Sequence, residues 1–595
     1  MGRGWHLRVE CCVAEFSRVF ALKMAAGKSP EEVSVSGRTV VWRGMGLVAG
    51  AGWLALGAMV AQAQASGGVP ISDSGMGVQI SGSNAVRPGQ NAAAADSGVA
   101  ILNPGRMAAM GTVDARYASF NIEMVEVTGG RFWRPYAAKA DSGAGAGSQP
   151  PGTSADLYQY RPPIDLSNAR LVKLARELGP SYVRVSGTWA NRTWFQDDDQ
   201  PARATAPEGY GSVLTRAEWR GVLDFARATG ASLVTSFAVS AGTRDAAGNW
   251  TPKQAQSLMD FTRQAGGTVA AAEFMNEPTF PEVGGAPKGY DAAEFARDAK
   301  SFAAFLRAAS PGTVFLGPGG VGEGPHSLMP PNMKMHLLPT EAILQATGPV
   351  FDAFSYHFYG AASRRCMGRT TVADELSDAW LDRSVETEAY YAGLRDKYMP
   401  GKPMWLTETA EAACGGDEFA GEFADVFRYL NQLGALAQRG VQVVMHNTLA
   451  ASDYGLLDTQ TLEPKPDYWA TLEWKRRMGR TVLNPGKISG SASGVRVYAQ
   501  CAPEGGGAVT VMALNLSATA VPLRVDGAGR AERATLTGPS LTGKSVLLNG
   551  KPLTTLADGT VVVPESARVR GGRVTLPAHS ATFLTFAGAG NAACR

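Results

Sequence analysis

The feature that most constrains the fold is an eightfold alternation between Met107 and about Leu483, in which short apolar runs are followed by segments with helical spacing. The runs are SFNIEMVEV at 119–127, SYVRVSG at 181–187, LVTSFAV at 233–239, VAAAEFM at 269–275, TVFLG at 313–317, FDAFSYHF at 351–358, PMWLTET at 403–409 and VQVVMHN at 441–447. Apolar strands alternating with amphipathic helices are the pattern of a parallel sheet with crossover connections. Eight units predict an α/β fold, a (β/α)8 TIM barrel over 106–480. The helical segments carry their own punctuation: 215–230 opens with Thr215 and closes with Gly230, and 291–309 and 417–438 read alike.

After Gly479 the period changes to alternating strands broken by Gly, Asn and Pro, as in SGVRVYAQ, AVTVMALNLS and RVTLPAHSATFLTFAG. This predicts an all-β sandwich over 481–595, with 106–117 as a candidate extra strand. A length of 595 residues would suggest about four domains. The patterning reduces that to one barrel, one sandwich, a flexible Gly/Ser/Ala/Asn-rich leader at 66–105 and a surface insert at 137–156. Two glycine-rich strings do not fit nucleotide binding. GPSLTGKS at 538–545 is followed by VLLNGKPL, a strand and turn where a phosphate loop needs a helix, and GPGGVG at 317–322 lacks a following apolar helix and reads as a barrel loop.

Residues 44–60 form an apolar run after Arg38 and Arg43 and before AQAQA, which predicts an export segment over 1–65 cleaved after Ala63 or Ala65, with Met24 or Met45 as alternative starts. The run is shorter than the about 20 residues that span a bilayer, so no stable membrane span is expected after cleavage. The protein is thus expected to be exported, periplasmic or secreted, and monomeric. Cys366, Cys414, Cys501 and Cys594 remain after cleavage, an even number suited to an oxidising compartment. The formal net charge of +3 resides in the export segment, whose removal leaves 49 Lys+Arg and 49 Asp+Glu. A neutral chain has no bulk field for nucleic acid, so none is expected as partner, and attraction to an acidic glycan must be built locally. Arg364, Arg365 and Arg369 are candidates for such local charge. The six histidines show no metal-ligand spacing and no C-x-x-C pair occurs, so neither metal nor cofactor is expected.

In a parallel barrel, chemistry sits at the C-terminal ends of strands. Glu277 in AAEFMNEPTF closes the fourth run and Glu408 in PMWLTETA closes the seventh. Two carboxyl groups about 5–5.5 Å apart are what a retaining glycosidase needs, one to protonate the leaving oxygen and one to attack the anomeric carbon. Asn276 precedes Glu277, where its amide can reach a sugar 2-hydroxyl. Tyr356, His357 and Tyr359 in SYHFYG close the sixth run, and a phenol there can orient Glu408.

These residues resemble glycoside hydrolase family 79, the heparanase-like and β-glucuronidase enzymes of clan A. The likeness runs from SFNIE at 119–123 through LVKLARELGPSYVRVSGT at 171–188, MNEP at 275–278, WLTETAEAACGG at 405–416, ASDYGLLDTQTLEPKPDYW at 451–469 and LTGKSVLLNG at 541–550. It implies a retaining hydrolase of β-D-glucuronic acid linkages with a glucuronic-acid-containing glycan or glucuronide as substrate. It also implies Glu277 as acid/base, Glu408 as nucleophile, Glu123, Thr188 and Asn276 against the sugar, and Tyr359 beside the nucleophile, and His357 is a further candidate for binding the substrate. The sugar carboxylate falls to backbone N–H groups of Gly415 and Gly416 and to Tyr454. One glycine of the family's turn is Cys414 here. Cys366 lies in the loop after the sixth run, on the same rim, which predicts a Cys366–Cys414 disulfide and leaves Cys501–Cys594 for the sandwich. The rival expectations are another clan A specificity, such as a xylosidase or arabinofuranosidase, and a non-catalytic polysaccharide-binding protein.

Overall fold

A computed structural model of the protein describes residues 100–136, 154–328, 335–486 and 494–595. The expected export segment, the leader up to residue 99 and most of the insert at 137–156 lie outside the described residues. Eight parallel strands close into a barrel in chain order: β1 (Ala118–Glu123), β2 (Tyr182–Ser186), β3 (Ser232–Ser236), β4 (Ala271–Glu273), β5 (Val314–Gly320), β6 (Ala353–Ala362), β7 (Met404–Ala413) and β8 (Val441–His446). β8 pairs back onto β1 with Met445 opposite Ser119. Among the described residues no helix is long and apolar enough to cross a membrane.

Each apolar run overlaps its strand, but the ends move. The first run is extended only to Glu123, and Met124–Thr128 turn into a short helix whose Glu126 side chain accepts the Glu123 N–H at 3.0 Å. A capping bond to an otherwise orphaned donor thus overrides the strand preference of MVEV. β5 extends through the GPGG string, so that segment is strand and not loop. β6 and β7 continue to Ala362 and Ala413, past the expected ends at 358 and 409, and so carry the SRRC and CGG loops up to the rim.

The helices follow their signals where a cap is present. Thr215 accepts the Glu218 N–H and left-handed Gly230 ends the helix Arg216–Thr229, while Asp291 caps Ala292–Ala309. The third expected helix starts only at Asp425. Before it, Phe423 and Ala424 donate their N–H groups to the carbonyls of Gly543 and Leu541 at 2.8 and 2.9 Å. The GPSLTGKS string is therefore a loop that docks the second region onto the barrel.

That second region is one ten-stranded sheet, in the order 109–112, 481–483, 495–501, 509–515, 580–586, 521–537, 547–548 and 551–552. The long strand Val521–Thr537 also pairs with Ala567–Leu576 and, in parallel, with Ala100–Leu102. Residues 100–102, inside the segment read as leader, are thus part of this sheet, with Leu102 buried in its core. Alternation assigns the two faces. Val497, Ala499, Val511 and Leu584 pack with Leu523 and Val525 in the sheet's own core, whereas Tyr498, Met512, Leu514 and Phe583 join the cluster that includes the barrel helices. Each such side chain stabilises the junction by about 1.5–3 kcal/mol. The Tyr498 hydroxyl donates to Asn431 at 2.6 Å, and a Cβ at Gly434 would lie 2.3 Å from the Tyr498 ring, so glycine lets the helix Asp425–Gln438 reach the sheet. Disulfides join Cys366 to Cys414 and Cys501 to Cys594.

Candidate active site

The lower interior of the barrel is an apolar plug of Tyr182, Val234, Ala271, Leu316, Ala353, Trp405, Val443 and Met445. Two residues further along β2 and β4 the same inward face presents Arg184 and Glu273. Above the plug the interior is therefore charged. Arg184, 1% exposed, donates from Nε and Nη2 to Glu273 at 2.9 and 2.8 Å, from Nη1 to Glu408 at 2.9 Å and from Nη2 to Asn276 Oδ1 at 2.7 Å. A guanidinium with these partners stays charged.

Glu408 is gripped on both oxygens. Tyr359 donates its hydroxyl to Oε1 at 2.7 Å and Arg184 reaches Oε2. Burial alone would push this carboxyl up, but the neighbouring His357 and Arg184 charges and the Tyr359 and Arg184 hydrogen bonds bring it below its ordinary value. Glu277, 20% exposed and so nearer the cleft, behaves oppositely: burial and the Glu408 charge push it up, against the pull of His357. Its φ of 49° is uncommon for a residue with a side chain, at a cost of about 1–2 kcal/mol. The preceding residue is locked, since Asn276 N–H donates to Asn191 Oδ1 at 2.8 Å and Asn191 Nδ2 donates to Asn276 O at 2.9 Å.

His357, expected at the sugar, lies instead beneath the two carboxylates. Its Nδ1 is 3.0 Å from Glu277 and 3.7 Å from Glu408, and its Nε2 is 3.3 Å from Arg184. The nearest oxygens of Glu277 and Glu408 are within 4.8 Å. That spacing matches the about 5–5.5 Å of a retaining pair and is too short for the about 6.5–9.5 Å of an inverting one. By distance the Glu277, His357 and Glu408 atoms could also surround a cation. Arg184 already supplies the positive charge there, so the donor set fits a guanidinium-neutralised carboxylate pair better than a metal.

On the other side of Glu408, Asn447 at the end of β8 lies 3.1 Å from Glu123 Oε1, from the Tyr359 hydroxyl and from the Tyr454 hydroxyl. Glu123 Oε2 is buried without a protein partner, and burial followed by the Glu408 charge pushes this carboxyl up. A Cβ at Gly187, where φ is +91°, would fall 1.5 Å from that oxygen, so only glycine makes room for Glu123. Thr188 Oγ1 is 3.5 Å from Asn276 Nδ2, at the edge of hydrogen bonding. Glu123, Thr188, Asn276, Glu277, His357, Tyr359, Glu408 and Tyr454 thus converge. Tyr356 points away, into the outer cluster against Tyr391.

Gly415 and Gly416 stand apart from this network, on the rim. A Cβ on Gly416 would lie 3.2 Å from Tyr454 Cβ, but the Gly416 N–H donates to Ala412 O at 3.2 Å and is spent within the turn. Arg364 pairs at the surface with Glu418, whereas Arg365 is buried against the turn. Neither is free to attract a distant acidic chain. Sequence reasoning passed over Arg184, Glu273, Asn191 and Asn447. The first two carried a readable signal, a charged residue at an inward position of an apolar strand, in YVRVS and AAE.

Residues 162–434 match the family described as glycosyl hydrolase family 79, N-terminal domain. Heparanase of Mus musculus is 28% identical over 551 residues, covering 78% of this chain and 98% of that protein. Hyaluronoglucuronidase of Hirudo nipponia is 26% identical, covering 66% and 85%. Among solved structures, a 4-O-α-L-rhamnosyl-β-D-glucuronidase from Fusarium oxysporum superposes with a TM-score of 0.54 at 13% identity, over 82% of this chain and 99% of that one, which is a likeness of fold. The barrel, its carboxylate pair and the match along most of the length point the same way: the chain is similar to glycosyl hydrolase family 79, whose N-terminal domain its residues 162–434 match.

Proposed function

We propose that the protein is a retaining glycoside hydrolase that cleaves β-D-glucuronic acid linkages, with Glu277 as acid/base and Glu408 as nucleophile. The observation that carries this reading is one pair of carboxyls at retaining separation whose surroundings push their proton affinities apart. Glu277 retains a proton and gives it to the leaving oxygen while ionised Glu408 forms a bond to the anomeric carbon. Water then attacks that carbon, Glu277 takes the water proton, and the bond to Glu408 breaks. Tyr359 and Arg184 hold the nucleophile's lone pairs in place, and Asn276 is positioned for the 2-hydroxyl. Specificity for glucuronic acid is favoured over a pentose by the names of the heparanase and hyaluronoglucuronidase relatives and by Tyr454 beside the subsite. No cofactor enters the mechanism. Two disulfides are compatible with an exported enzyme, periplasmic or secreted.

The test is turnover of 4-nitrophenyl β-D-glucuronide against the matching glucoside, xyloside and arabinofuranoside by the wild type, Glu277→Ala and Glu408→Ala. The glucuronide should be the preferred substrate. Glu408→Ala should lose at least about 10⁴-fold in kcat, and Glu277→Ala should lose least on aglycones that leave without protonation. Substantial activity in folded Glu408→Ala sinks the mechanism, and preference for a pentoside sinks the specificity.

A further inference from the structure

The turn Cys414–Gly416 takes three consecutive left-handed conformations, with φ of 64°, 83° and 80°. Such a run aligns successive peptide N–H groups into a concavity that suits an anion. It is also a conformation that a cysteine does not hold unaided. What holds it is Arg365, on the loop after β6 and 6% exposed. All five N–H bonds of its guanidinium are engaged. Nε and Nη2 donate to Arg134 O at 3.0 and 2.7 Å, Nη1 donates to Cys414 O at 3.2 Å and to Gly416 O at 2.6 Å, and Nη2 pairs with Asp453. The guanidinium also lies 3.8 Å over the Tyr136 ring. One side chain thereby joins the loops after β1, β6, β7 and β8. The next residue, Cys366, is bonded to Cys414 itself.

The consequence is directional. A trans peptide places C=O and the following N–H on opposite sides, so fixing Cys414 O against Arg365 and Ser363 Oγ turns the Gly415 N–H away from the clamp. Gly416 N–H is taken by Ala412 O and Asp417 N–H by Glu411 at 2.9 Å. Gly415 O is taken by Ser452 Oγ at 2.9 Å and Asp453 N–H at 3.3 Å. Gly415 N–H has no acceptor among the described residues, and the next residue of the turn, Gly416, packs against Tyr454.

We propose that Arg365, together with the Cys366–Cys414 disulfide, is a positioning device for recognition of the substrate carboxylate, locking the turn so that the Gly415 N–H is presented to the uronic acid. This rests on the glucuronide reading above. Arg365 does not touch the sugar, because its donors are spent. It acts through the turn, and its loss weakens uronate binding while leaving bond cleavage intact.

The experiment measures kcat and KM of the wild type, Arg365→Met, Arg365→Lys and the double variant Cys366→Ser/Cys414→Ser on 4-nitrophenyl β-D-glucuronide and β-D-glucoside, at a temperature where far-ultraviolet circular dichroism shows each folded. Arg365→Met should raise KM for the glucuronide about tenfold or more, the size of one charge-assisted hydrogen bond, with the glucoside constants within about twofold of wild type. Arg365→Lys should shift KM in the same direction, because an ammonium cannot reproduce the fork. The cysteine variant should show the same selective effect at smaller size. Parallel changes on both substrates, or an unchanged glucuronide KM in folded Arg365→Met, overturn the proposal. If Arg365→Met does not fold, the lysine and cysteine variants decide by the same criterion. A wild type without preference for the glucuronide instead overturns the specificity reading, and the positioning role with it.

Discussion

Two buried charge clusters lie on opposite sides of β7, and they use the same ingredients differently. Inside the barrel, Arg184 faces Glu273, Glu408, Glu277 and Glu123. Outside, between β7 and its helices, Arg428 faces Asp425 and Asp467, with Glu411 and Glu375 beside them, all buried. Each cluster holds more carboxyls than cations. The difference is where donors point. Glu408 has a donor on each oxygen and is held ionised, whereas Glu375 has none on either oxygen, and burial with the nearby Asp425 and Glu411 charges pushes it well above its usual range. Glu408 and Glu375 are both buried. The number of aimed hydrogen bonds decides which carboxyl is held low and which is pushed up.

The arginines give the sharpest test of this contrast. Arg184→Met should lower kcat by about 10²–10³-fold, the effect of removing one oriented charge from a reacting group. Arg428→Met should leave kcat within about twofold yet cost about 3–5 kcal/mol of stability, because it strands buried carboxylates. Denaturant melts and initial rates on the two proteins check both halves. A large loss of kcat in folded Arg428→Met would show that the two sides of β7 are one functional unit.

The pH–rate profile is the next lever. Glu408, held low, must be ionised and Glu277, held high, must be protonated, so kcat/KM should fall as pH drops through the former value and again as pH rises through the latter. Glu277→Gln should remove the alkaline limb and keep the acid one. If the alkaline limb persists, the proton donor is another group.

The smallest expected effect concerns stability. A carboxyl whose folded-state pKa is raised contributes stability that is complete below its unfolded value of about 4.3 and is lost as pH rises toward the folded one. Glu375 is such a group, so wild-type Tm should fall between acid and neutral pH more than that of Glu375→Gln. The gap corresponds to about 1 kcal/mol for each unit over which one proton is retained. Parallel Tm curves would mean that Glu375 is ionised in the fold, with a partner that accepts its charge.

Legibility in the sequence followed the range of the forces. Thr215 and Gly230 end a helix by bonds within a few residues, and that helix is where it was expected. The helix expected at 417–438 begins instead at Asp425, because Phe423 and Ala424 bond to a loop more than a hundred residues away in the chain. Met124–Thr128 and Leu102 were misjudged for the same kind of reason, a capping bond in one case and a distant apolar core in the other. Glu277 and Glu408 could be singled out because polar residues closing apolar strands are few. Asn447 closes the eighth run and Asn191 lies in the loop after the second, and their roles exist only when strands far apart in the chain are brought together.

The sequence by itself determined the barrel, the β region behind it and the two carboxylates, since hydrophobic period and strand-end chemistry are written locally. The tertiary structure decided what each carboxyl is: Glu408 ionised, Glu277 and Glu123 pushed up, and Glu375 and Glu411 pushed up behind the same strand. It also decided that Arg365, which in sequence is one of three arginines in a rim loop, is the buried clamp of the Cys414–Gly416 turn. Proton affinity and peptide orientation depend on distances of a few ångströms between residues far apart in the chain, and Coulomb and hydrogen-bond energies change steeply over those distances.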